Sequence, residues 1–152
     1  MDHVDLRILN TLQKDASGSI AEIAERAGTS QTPCWRRIKR MEEDGIIKKR
    51  VALLDQEKLN IGLTGFILIR TAEHDEEWLR AFAEGVKAMP EVLEFHRMTG
   101  EVDYLLRIVT TDLKGYDAIY KKLIKVAKLS DVSACFSMEC IKETTELPLF
   151  PS

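Results

Sequence analysis

Seven basic side chains, Arg36, Arg37, Lys39, Arg40, Lys48, Lys49 and Arg50, fall in the stretch QTPCWRRIKRMEEDGIIKKR at positions 31–50, against three acids, Glu42, Glu43 and Asp44. Guanidinium and ammonium groups at that density are the chemistry of phosphate binding, with arginine able to grip a phosphate or a guanine edge through two parallel hydrogen bonds. The concentration is local, because the 152-residue chain carries a formal net charge of −3. A solvated basic face on an ordinary three-helix bundle is the bland alternative for the same residues.

The elements around this stretch decide which reading applies. Leu6, Leu9 and Leu12, with Ile8 beside them, recur at helical spacing, and Ile20, Ile23, Ala24 and Ala27 repeat the pattern after a KDASGS turn. Ser19-Ile20-Ala21-Glu22 is a capping-box signature for the start of the second helix, and Gly28 suits its end. Ser30 and Thr32 are N-cap candidates for a third helix, in which Pro33 fits the first turn. On a helical wheel Cys34, Ile38 and Met41 share one side, and Thr32, Arg36, Lys39 and Arg40 the other. Helix, tight turn and basic helix predict a helix-turn-helix whose third helix enters a major groove, with residues 46–54 as a basic wing running into a strand. Trp35, beside the exposed face, reads as half-buried packing rather than an intercalating wedge.

Beyond Asn60 the character changes. Residues 1–60 carry net +1 and residues 61–152 net −4, so the basic patch belongs to the first segment. Strand-like residues 63–70 precede a helical set, Leu79, Phe82, Val86 and Met89, closed by Pro90. Two strand-like runs, 92–98 and 103–109, flank a turn containing Gly100. A further helix carries Tyr116, Ile119, Tyr120 and Leu123, and residues 132–141 complete a β-α-β-β-α-β order, the ferredoxin-like motif. The fold class is α+β, with a winged helix-turn-helix over 1–54, a linker over 55–62 that lets the parts move independently, and a ferredoxin-like domain over 63–152.

The remaining chemistry is sparse. His3, His74 and His96 are isolated, and Cys34, Cys135 and Cys140 show no C-x-x-C spacing, so neither a metal site nor a disulfide framework is expected. The N-terminal MDHVDLRILN lacks the basic and apolar regions of a signal peptide, and the apolar run at 65–69 is too short to span a bilayer. A cytoplasmic location is expected.

The run TPCWRRIKRMEEDGII followed by VALLD, then GLTGF, MPEV, MTGEVDYLLRI and TTELP, resembles the Lrp/AsnC (feast/famine) family of prokaryotic transcriptional regulators along almost the whole chain. Trp35 after Pro-Cys, Glu77-Trp78 and MPEVLEFHRMTGEVDYLLR are similar to a cysteine-responsive subgroup. The resemblance implies double-stranded DNA as partner, with Ser30, Gln31, Thr32, Arg36, Arg37, Lys39, Arg40, Lys48, Lys49 and Arg50 at the DNA. It also implies dimers assembling to octamers, a linker strand, and a small amino acid effector, cysteine or another, bound between dimers around the second hairpin. Those positions are Thr99, Gly100, Glu101, Val102, Asp103 and Tyr104, with Ser137, Met138 and Glu139 as further wall residues. A glycine admits close backbone approach and the carboxylates suit an ammonium group. Where the family often has Gly-Asp, this chain has Gly100-Glu101, which lengthens the acid. The alternative for the hairpin is a turn that only joins two strands. An enzyme related in fold, such as a sirohaem decarboxylase, would need histidines and arginines around a tetrapyrrole, whereas these histidines are scattered; no catalytic residues and no cofactor are expected.

Overall fold

The computed structural model describes residues 1–150, which divide into two compact units. The first comprises residues up to Leu53 together with the chain from Ile141 onward, and the second comprises Leu54–Cys140. The division differs from a simple cut at the linker, because the C-terminal segment groups with the helices of the N-terminus.

The first unit holds α1 (His3–Lys14), α2 (Ile20–Ala27) and α3 (Gln31–Glu43). Both leading helices start in reciprocal caps. The expected Ser19/Glu22 box is formed, and Asp2 and Asp5 make a second one, each carboxylate accepting the other residue's backbone N–H. Gly28 closes α2 in the left-handed conformation (φ 68°), and the Arg7 guanidinium donates to the Ala27 carbonyl at 3.0 Å. Ile8, Leu9, Ile23, Ala24, Ala27, Cys34, Ile38 and Met41 are buried together, as their helical spacing requires. Leu149 packs on this core, and the Gln13 side-chain amide holds both backbone groups of Leu147, donating to its carbonyl at 3.0 Å and accepting its N–H at 2.6 Å.

The expected strand after α3 is not formed. Residues 46–54 have no strand partner, and Val51, Leu53 and Leu54 are exposed; isolated extended backbone has no neighbour to satisfy its hydrogen-bonding groups. The linker is an ordered turn. Asp55 accepts the N–H groups of Glu57 and Lys58, and the Gln56 amide donates to the Thr64 hydroxyl at 2.9 Å.

The second unit contains β1 (Leu63–Arg70), α4 (Glu76–Lys87), β2 (Val92–Arg97), β3 (Tyr104–Thr110), α5 (Leu113–Val126) and β4 (Asp131–Phe136). The antiparallel sheet has the order β2-β3-β1-β4, so the central strands are the most apolar ones. Ile67, Ile69, Leu106 and Ile108 point to the same buried core as Phe82 and Val86 of α4 and Ile119 and Leu123 of α5. Phe66, Leu68 and Leu105 alternate onto the other face and are half-buried. The last strand stops at Phe136, five residues short of the expected end, after which Ser137 adds one bond from its N–H to the Thr64 carbonyl.

Candidate DNA interface and effector hairpin

The third helix presents the two faces its spacing predicts. Cys34, Ile38 and Met41 are buried, and Gln31, Thr32, Arg36, Lys39 and Arg40 are exposed, as are Lys48, Lys49 and Arg50 beyond it. Ser30 occupies the N-cap position, but its side chain makes no capping hydrogen bond, in contrast to the expectation. Trp35 is 52% exposed and lies outside the set packed on the core.

The basic side chains divide sharply by partner. Arg37 lies on the flank between the exposed and buried faces, about 40° from Met41 on the wheel. Its Nη1 sits 2.7 Å from Asp2 Oδ2 and 2.9 Å from Asp5 Oδ1, while Arg40 Nη2 is 2.6 Å from Asp5 Oδ2. Asp5 is buried, so a carboxylate from α1 anchors two cations of α3. Hydrogen bonds from the Asp5 backbone N–H and from Arg37 hold the Asp2 carboxyl down at about 2. Burial pushes the Asp5 carboxyl up, but hydrogen bonds from Arg37, the Asp2 N–H and Arg40 outweigh it and leave it below its ordinary value. The same two carboxylates, Asp2 foremost, push the Arg37 guanidinium up. Glu42 receives Arg50 Nη2 at 3.0 Å and Lys39 Nζ at 3.4 Å. Arg36, Lys48 and Lys49 have no acidic partner within salt-bridge distance among the described residues. Helical spacing places Arg36, Lys39 and Arg40 on the exposed side but carries no sign of their partners; the D-x-x-D at positions 2–5 is the sequence signal for the acids opposite Arg37 and Arg40.

In the second unit the hairpin closes through the Met98 N–H, which donates to the Asp103 carbonyl at 2.8 Å. Gly100 takes φ +95° with open space where a Cβ would stand, a conformation that disfavours any L side chain. Thr99, Gly100 and Glu101 are exposed, Val102 and Asp103 half-buried. Glu101 faces Arg70 at 3.4 Å. The Asp103 carboxylate is already engaged, accepting the Thr71 N–H at 2.8 Å, and the Asp103 N–H donates to the Ile69 carbonyl at 2.9 Å.

Tyr104, expected among the effector residues, is turned into the core of its unit. Its ring is 4% exposed and packs against Phe82, Phe95 and Trp78 at centroid distances of 5.3, 5.6 and 6.1 Å, so it supports the hairpin from beneath. Ser137, Met138 and Glu139 do not meet the hairpin within one chain. Tyr104 pairs with Ile69 near one end of the sheet, whereas Ser137 bonds Thr64, five residues back along the strand, roughly 17 Å away at strand rise. A shallow groove of about 430 Å³, lined by Tyr120, Ile124, Lys128, Ser130 and Asp131 among others, contains none of the expected effector residues.

A helix-turn-helix with an exposed basic third helix, followed by a separate sheet unit, defines a DNA-binding transcriptional regulator with its own ligand-binding domain. Residues 1–48 match a family model described as winged helix-turn-helix DNA-binding, and residues 64–147 match the Lrp/AsnC ligand binding domain. The chain belongs to the Lrp/AsnC family. It is 49% identical over 150 residues to the DNA-binding transcriptional activator DecR of Escherichia coli, covering 98% of this chain and 99% of that protein. It is equally 49% identical over 149 residues to a glutamate uptake regulatory protein of Zymomonas mobilis, covering 98% and 91%. Among solved structures, an AsnC family transcriptional regulator from Agrobacterium tumefaciens is 55% identical with a TM-score of 0.94, over 97% of each chain. A transcriptional regulator from Neisseria meningitidis, in complex with L-Met, is 35% identical with a TM-score of 0.91, over 97% of this chain and 96% of that one. Among the described residues no helix is long and apolar enough to cross a membrane.

Proposed function

We propose that the chain is a cytoplasmic, homo-oligomeric regulator that reads DNA through α3 and the basic residues after it, and that a small amino acid at the hairpin modulates its assembly or DNA binding. The observation that carries the reading is the split face of α3, with Cys34, Ile38 and Met41 buried and Thr32, Arg36, Lys39 and Arg40 exposed. Ser30, Gln31 and Thr32 would meet the groove at the helix start, and Lys48 and Lys49 the flanking phosphates. The reading requires no catalytic step and no cofactor. Replacing Arg36 and Arg40 together with alanine is expected to abolish selection of specific duplexes in gel-shift titrations; unchanged affinity would remove α3 from the interface.

The half-buried apolar sheet face and the exposed Val51, Leu53 and Leu54 support self-association into dimers, and through them octamers. Light scattering on the full chain is expected to report a dimer or larger. For the effector, Thr99, Gly100 and Glu101 are the hairpin groups open to a ligand, with Glu101 offering a carboxylate to an ammonium and backbone N–H groups accessible at Gly100. Asp103 and Val102 would shape the wall from behind. Ser137, Met138 and Glu139 would join such a site from another protomer.

The Neisseria neighbour's L-Met complex supports an amino acid as the ligand class, and the subgroup similarity favours cysteine. Relatives of equal identity carry different regulatory names, so calorimetric titration should compare reduced cysteine with glutamate, methionine, serine, leucine and asparagine. Selective heat for one of them is expected, weakened in Glu101→Ala. No binding by any would leave the hairpin a structural turn.

A further inference from the structure

We infer that Glu42 is a specificity determinant: its carboxylate holds Lys39 and Arg50 back from the DNA backbone and so limits binding to unselected sequence. The inference deepens the reading of α3 as the DNA-contacting helix and rests on it. Four of the seven cations between positions 31 and 50 are paired with acids of their own chain, but the pairs are of two kinds.

The first kind is fixed. Asp5 is 2% exposed and both its oxygens are occupied, Oδ1 by Arg37 and Oδ2 by Arg40 and the Asp2 N–H. Arg37 also keeps Asp2, so moving it to a phosphate would take from buried Asp5 one of its two cations and leave Asp2 without its own. Arg37 is therefore a positioning residue that ties α3 to the start of α1, and Arg40 is tethered by one end.

The second kind is loose. Lys39 and Arg50 side chains are 51% and 44% exposed, and Glu42, itself 30% exposed, is their shared partner. Burial pushes the Glu42 carboxyl up, but Arg50 and Lys39 outweigh it, so it stays charged at neutral pH. Exposed pairs of this type are weak, so a phosphate competes with Glu42 on nearly equal terms. Arg36, Lys48 and Lys49 need no such exchange.

Non-specific binding is carried almost entirely by phosphate contacts and their released counterions, whereas specific binding adds base contacts. A carboxylate that occupies two cations thus subtracts from the non-specific complex, where every mobile cation counts. It subtracts less from the specific complex, where Arg36 and the helix start would be locked on base edges.

The test compares wild type with Glu42→Gln on two probes, a random-sequence duplex and a duplex selected by the wild type from a random pool. Glutamine preserves size at a partly exposed site, and equal melting midpoints would confirm the fold. The expected result is binding to the random duplex about three- to tenfold tighter at low salt. The log affinity against log salt slope should steepen by about 0.9 for each released cation, and the preference for the selected duplex should fall. In a Lys39→Ala, Arg50→Ala background the same Glu42→Gln change should have no effect on the slope. Identical slopes and preference in wild type and Glu42→Gln would overturn the inference, as would an effect that persists without Lys39 and Arg50. Wild type that selects no duplex at all would instead defeat the reading of α3 on which it rests.

Discussion

The two units hold their candidate surfaces by different means. In the first, α3 sits on a core of modest side chains, chiefly isoleucine, alanine, cysteine and methionine, and its orientation is reinforced by the polar clamp Asp2/Asp5–Arg37/Arg40. In the second, the hairpin rests on a cluster of four aromatic rings, Trp78, Phe82, Phe95 and Tyr104, with Asp103 hydrogen-bonded to the Thr71 backbone. The contrast teaches that a charged residue near a candidate site can be a strut. Once struts are set aside, the groups open to the proposed ligands are Arg36, Lys48 and Lys49, with the loosely paired Lys39 and Arg50, in one unit and Glu101 with the Gly100 backbone in the other.

The comparison breaks most severely at the aromatic cluster. Phe82 is fully buried between Trp78, Phe95 and Tyr104, so Phe82→Ala is expected to cost about 3–5 kcal/mol and to loosen the hairpin, while α3 keeps its hydrogen-exchange protection. Next comes Asp5→Ala. Removing one partner of a buried charge pair costs about 3–5 kcal/mol when all members are buried, and Arg37 and Arg40 reach water here, so about 2 kcal/mol is expected. The loss should appear in melting of the helical unit and spare the sheet. Asp103→Ala leaves the Thr71 N–H without its acceptor and should cost about 1–2 kcal/mol, read as faster amide exchange at Thr71. If amino acid binding survives in that variant, Asp103 is a strut and Glu101 the ammonium partner.

Smaller effects sharpen the contrast. Gln13→Ala removes two hydrogen bonds to Leu147 at an exposed site, worth about 0.5–1 kcal/mol, and should speed proteolysis of the C-terminal segment without changing the core. Acid provides the mildest probe. The Asp2 carboxyl titrates near 2 in the fold against an ordinary 3.8, so its contribution is complete above about 3.8 and is lost as pH falls toward about 2; Asp5, also lowered, acts in the same direction. Amides of α3 should lose protection across that window earlier than those of β1, whose neighbours are apolar.

The helices, the four strands of the sheet and their order were legible in the sequence, the strand expected after α3 excepted. Leu, Ile and Ala at helical spacing, the Ser19 box, Gly28 and Pro90 are local signals, because helix formation and capping depend on residues within a turn or two. They located the exposed face of α3 and the Gly100 turn, and the family motifs followed the same order. Only the tertiary structure decided which charges were spent. Asp5 meets Arg40 across 35 positions, Thr71 meets Asp103 across 32, and Gln13 meets Leu147 across 134. It also decided that Tyr104 faces the core and that residues 46–54 lack a strand partner. These outcomes follow from which distant segments come to lie side by side, and the period of a single segment carries no record of its neighbour.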